Sequence, residues 1–75
     1  MIDRRKRKII KDFGSNLKAI RKAKGMSLRQ LSASSGVEHT MIHRYEKGES
    51  NPALTTIVDL ADGLGVHPSE LFVSE

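Results

Sequence analysis

Four polar side chains near the middle of the chain, His39, Thr40, His43 and Arg44, are spaced so that residues 39 and 43, and 40 and 44, each lie one helical turn apart on a shared face. Their chemistry is hydrogen bonding to planar edges. An arginine fork matches two adjacent acceptors such as guanine O6 and N7, an imidazole donates or accepts, and threonine offers a hydroxyl and a methyl that can meet thymine. Two histidines one turn apart can also be read as metal ligands. Here no glutamate follows the first histidine, the chain has no cysteine, and His67 lies on a distant turn, so no metal site and no cofactor are expected.

Such a face needs a scaffold, and the apolar spacing describes one. Ile10, Phe13, Leu17 and Ile20 recur at steps of three, four and three, which predicts an amphipathic helix over about residues 9–24, stopped by Gly25. Ser27 with Gln30 three residues on has the pattern of a capping box, opening a short second helix over 28–34. Ser35-Gly36 ends it, because glycine takes the left-handed conformation that closes a helix. A third helix is expected over 39–47, with Met41, Ile42 and Tyr45 inward, and it stops at Gly48. After the turn residues 49–52, Leu54, Ile57, Val58, Leu60, Ala61 and Leu64 form a broad apolar face for a fourth helix, about 54–63. Gly63 inside that helix is expected to cost up to roughly 1 kcal/mol relative to alanine. Pro68 suits the first turn of a fifth, about 67–72. No segment alternates with period two. The expected fold is all-α and compact, with five helices.

Charge is divided along the chain. Residues 1–24 hold ten Lys and Arg against Asp3 and Asp12, a balance of +8; from Gly25 onward only Arg29, Arg44 and Lys47 face seven acids, a balance of −4. The basic pole suggests a polyanionic partner. Its densest part is Arg4, Arg5, Lys6, Arg7 and Lys8, expected to form an N-terminal arm (1–8) ahead of the domain (9–75), or an extension of the first helix, and to lie near a nucleic-acid backbone or minor groove. The competing reading is a solvated tail that keeps the protein soluble.

Size and composition exclude several functions. The 75 residues can build one small core, and without cysteine that core must close by helix packing or by pairing with a second copy. No apolar run approaches the roughly 20 residues that span a bilayer, and no signal-peptide core follows the basic start, so a cytoplasmic protein is expected. An enzyme is not expected. There is no phosphate-cradling glycine loop, no cysteine nucleophile and no pair of carboxylates on one face. A membrane-surface helix at 1–24 would need Phe13, Leu17 and Ile20 free, yet so small a domain needs them in its core.

Helices 2 and 3, joined by a tight turn at Gly36, make the two-helix unit whose second member can enter the DNA major groove. The small Ser32 lets the helices approach, while Val37, Ile42 and Tyr45 back the polar front of helix 3. From Phe13 to Phe72 the chain resembles the single-domain helix-turn-helix regulators typified by the lambda and 434 repressors and Cro, the Xre family. The resemblance rests on Leu17-x-x-Ile20-Arg21, Gly25-Met26-Ser27, Leu31, Ser35-Gly36-Val37, Ile42-x-x-Tyr45-Glu46-Lys47-Gly48, Asn51-Pro52 and Leu60-Ala61-x-x-Leu64-Gly65-Val66. The small size is similar to that of restriction-modification controller proteins. Phage repressors and antitoxins are similar too.

The resemblance implies roles. His39, Thr40, His43 and Arg44 would read bases, and Lys47, Ser50 and Asn51, with Arg29, would meet phosphates. Where the family often has glutamine at the start of helix 2 this chain has Leu28, leaving a backbone N–H for the phosphate. Arg21 and Glu46 would form a largely buried ion pair holding helix 3 to helix 1; the alternative is two independent solvated charges. Separately, the apolar cluster Val66, Leu71, Phe72 and Val73 at the end of the chain is expected to form a homodimer interface. The expected function is sequence-specific binding of double-stranded DNA at an inverted repeat, as a homodimeric transcriptional regulator. An antitoxin with a toxin as its main partner and autoregulatory DNA binding is the alternative.

Overall fold

The structure, a computed structural model, describes residues 3–73. Four α-helices follow in order: α1 (Arg4–Ala23), α2 (Leu28–Ser35), α3 (His39–Glu46) and α4 (Leu54–Leu64). The expected fifth helix is instead a single 3₁₀ turn, Pro68–Phe72. Five residues are too few for the repeated i to i−4 bonds that make an α-helix worth nucleating.

The limits of α2 and the start of α1 have local causes. The α2 box is closed at both ends, with Gln30 N–H donating to Ser27 Oγ at 3.1 Å and Ser27 N–H to Gln30 Oε1 at 2.7 Å. Gly36 closes α2 at φ 77°, a conformation that strains any residue with a Cβ. The first helix begins earlier than the apolar spacing predicts. Asp3 caps it, its carboxylate accepting from Lys6 N–H at 2.9 Å, so residues 4–8 are the opening turns of α1, the helix extension and not a separate arm.

The core gathers Leu17 of α1, Leu31 of α2, Ile42 of α3, Leu60 of α4 and Leu71 of the 3₁₀ turn, all 0% exposed. Each contributes roughly 1.5–3 kcal/mol by leaving water. Leu71 was expected in a dimer interface, and that expectation is corrected. Its side chain is sealed inside the monomer, and Asn16 holds the backbone there by donating to Leu71 O at 3.0 Å and Val73 O at 2.7 Å.

Two close helix approaches depend on glycine. At Gly14 of α1, a Cβ would stand 2.8 Å from the Glu46 carbonyl oxygen, so the absence of a side chain lets α1 and α3 meet backbone to backbone. At Gly63 of α4, a Cβ would meet Ser35 Cα and N at 2.9 Å each, and the Ser34 hydroxyl lies 3.0 Å from the Gly63 carbonyl. Gly63 therefore lies within α4 at its contact with α2, and its propensity cost is offset by packing.

Candidate nucleic-acid interface

The arrangement of α3 is set from its inner side. Ile42, Tyr45 and Glu46 are buried, and the helix is anchored to α1 through Arg21. Arg21 Nε donates to Glu46 Oε2 at 2.6 Å and Nη2 to Glu46 Oε1 at 3.0 Å, the parallel two-bond geometry of a guanidinium facing a carboxylate. Its third bond, Nη1 to the Met26 carbonyl at 2.8 Å, ties in the segment leading to α2. Both residues are 8% exposed. Glu46 raises the Arg21 pKa through its hydrogen bond against the opposing effect of burial, so the guanidinium stays charged. The ion pair implied by the resemblance is thus present, and one residue positions three segments.

With the inner face committed, the outer face of α3 is free. Thr40, His43 and Arg44 are exposed and His39 is half-buried, so the four expected reading residues sit together on the solvent side. Among the described residues no acid pairs with Arg44. The flanking positions separate into unlike groups. Arg29 and Asn51 are exposed, Ser50 is half-buried, and Leu28 packs partly against the core, leaving its backbone as the group it can offer. Ser27 takes the N–H of Gln30, while those of Leu28 and Arg29 belong to the first helical turn, where no intrahelical acceptor exists. Lys47 Nζ lies 3.6 Å from Glu49 Oε2, so its charge is partly offset within the loop.

Glu38 belongs to this face and sequence reasoning passed over it. It is the residue that caps α3, its carboxylate accepting from Thr40 N–H at 3.2 Å and from the Thr40 hydroxyl. His39 Nδ1 lies 3.7 Å from the same group. The Thr40 hydroxyl bond, more than any other contact, holds the Glu38 carboxyl below its ordinary range. Thr40 consequently spends its hydroxyl proton on Glu38, and that oxygen keeps only its accepting capacity for another group. The available signal was its position, two residues after Gly36 and just before the first helical residue; glutamate is not among the usual capping types, which is why it was missed.

Among the described residues no group of three or more His, Cys, Asp or Glu side chains gathers as a metal-binding set, and no helix is long and apolar enough to cross a membrane. A small all-helical domain with two short helices set around a glycine turn, the second held by a buried ion pair and outwardly polar, defines a helix-turn-helix protein. The comparisons with known proteins agree. The helix-turn-helix family matches residues 17–71. The chain is 36% identical over 58 residues to the HTH-type transcriptional regulator y4dJ of Sinorhizobium fredii, covering 77% of this chain and 75% of that protein. It is 37% identical over 62 residues to the regulator SutR of Escherichia coli, covering 83% of this chain but only 34% of SutR. Its fold is similar to the crystal structure of the restriction-modification controller protein C.AhdI of Aeromonas hydrophila, with a TM-score of 0.82, 36% identity, and coverage of 84% of this chain and 96% of that one. The chain belongs to the helix-turn-helix family of DNA-binding transcriptional regulators of the Xre type.

Proposed function

We propose that this protein is a sequence-specific regulator that binds an inverted-repeat operator as a homodimer, each copy placing α3 in a major groove. The observation that carries this reading is the exposed polar face of α3, displayed as a unit by the Arg21 and Glu46 pair beneath it. Arg44 is the strongest reader, since its fork suits guanine. His39, Thr40 and His43 complete the reading face, and Arg29, Lys47, Ser50, Asn51 and the Leu28 backbone supply phosphate contacts. The basic start of α1 contributes further positive charge toward the backbone. A regulator of this kind acts where the DNA is, in the cytoplasm, and its role is binding rather than catalysis.

The dimer is proposed through Phe72 and Val73, which are 50% and 58% exposed, with Ile9 beside them at 57%. Phe72 already packs on Phe13 with ring centroids 5.4 Å apart and ring planes tilted by 39°, so the patch is preformed. Val66 is half-buried against the core and Leu71 supports the patch from within. Selection of bound sequences from random duplexes, followed by footprinting, tests the reading. The expected product is an inverted repeat with half-site centres about 34 Å apart. Recovery of a single unpaired half-site, together with a monomer in sedimentation, would refute the dimeric reading.

A further inference from the structure

The loop after α3 carries little net charge of its own, because Lys47 and Glu49 pair across 3.6 Å. Lys47, its charge partly offset, covers little of the phosphate backbone at Ser50 and Asn51, and a further cation can come from α1, which lies directly against this loop. A Cβ on Gly48 would stand 3.3 Å from Lys11 Cα and 2.9 Å from Lys11 Cγ, so the turn rests on the stem of Lys11. On the other side, Lys6, Ile9, Ile10 and Asn51 border one shallow cleft of about 200 Å³. Arg7 lies between these positions on the helix surface, on the stripe 7, 11, 14 that leads to the Gly14 crossing with α3.

The adjoining side of the same turns, across Ile9, is different. Lys8 Nζ is held 2.7 Å from Asp12 Oδ2, and both residues border a cleft of about 430 Å³ with Ile9, Phe13 and Phe72. Arg5 belongs to that stripe, three residues before Lys8 and seven before Asp12.

We infer that the basic start of α1 is two-sided. Lys6, Arg7 and Lys11 form a second phosphate-binding ridge continuous with the loop after α3, while Arg5 and Lys8 face away from the DNA. Lys11 thereby joins the interface. This inference rests on the DNA-binding reading above and divides what that reading treats as one run of charge.

The test compares two charge-matched variants of the full chain, Lys6→Gln/Lys11→Gln and Arg5→Gln/Lys8→Gln, by fluorescence anisotropy with a labelled mixed-sequence DNA duplex over a potassium chloride series. Each lost phosphate contact lowers the salt slope by about 0.9, so the first pair is expected to flatten it by about 1.8 per protomer and the second to leave it unchanged. Equal flattening by both pairs, or none by the first, would overturn the inference while leaving DNA binding intact. Lys6→Arg/Lys11→Arg should keep the wild-type slope; a loss there would show that side-chain packing rather than charge is at work, and would also overturn it. Wild-type protein with no salt-dependent binding would instead overturn the DNA-binding reading itself.

Discussion

The seam between α1 and α3 and the outer surface of α3 use similar residues for opposite purposes. In the seam, Arg21 is buried, makes three hydrogen bonds and faces a carboxylate; two residues before Glu46, on the other face of α3, Arg44 is exposed with no acid beside it among the described residues. Water makes the difference. A charge removed from water needs a partner and becomes a positioning device, whereas a charge left in water keeps its affinity for an incoming group. The two faces are also coupled in one direction, because the surface is presented only while the seam holds.

That contrast predicts how each region breaks. Glu46→Ala strands the Arg21 charge and should cost roughly 3–5 kcal/mol of stability, read by denaturant unfolding. DNA affinity should then fall only in proportion to the folded fraction; a normal unfolding midpoint would place the pair in solvent. A double-mutant cycle on Arg21 and Glu46 measures their coupling directly.

Gly14→Ala strikes the same seam without touching charge. The added methyl meets carbonyl oxygens of α3 backbone that cannot rotate aside, so a loss of about 1–3 kcal/mol is expected even though alanine favours helix. Unchanged or raised stability would show that α1 and α3 can separate freely.

On the outer surface the pattern should reverse. Arg44→Ala should leave unfolding unchanged while weakening a selected operator by roughly 1–3 kcal/mol per half-site and relaxing preference at one base pair. Arg44→Lys should restore only part of this, since an ammonium lacks the planar fork. Equal weakening on every DNA sequence would make Arg44 a phosphate contact and leave the reading to His39, Thr40 and His43.

The smallest expected effect lies at Glu38, where the two regions meet at the start of α3. Its carboxyl is lowered from the ordinary 4.5, so the cap contributes fully above that value and is lost as pH falls through the lower folded value. The Thr40 amide resonance should report that transition in the wild type and lose it in Glu38→Gln. A midpoint at or above the ordinary value would mean that the cap is absent in solution.

Much of the site was legible because its signals are local. The Ser27 and Gln30 box, the Gly36 turn and the inward spacing of Ile42 and Tyr45 all act within a few residues, so their types at those intervals determined the two helices and the polar face opposite them. The Arg21 and Glu46 pairing came from likeness to a family rather than from periodicity, because 25 residues separate the partners. Other features depended on what lies across the gap. Asp3 begins α1 through turns that bury no side chain, and an apolar period has no signal there. Gly14 and Gly63 acquire their meaning from backbone that packs on them. Leu71 and Phe72 are adjacent apolar residues, yet one is sealed in the core and the other half exposed. Sequence by itself determined which faces were apolar and where α2 and α3 start and stop, since those preferences belong to each segment; only the tertiary structure decided which surface covered which, because burial is a property of two elements brought together.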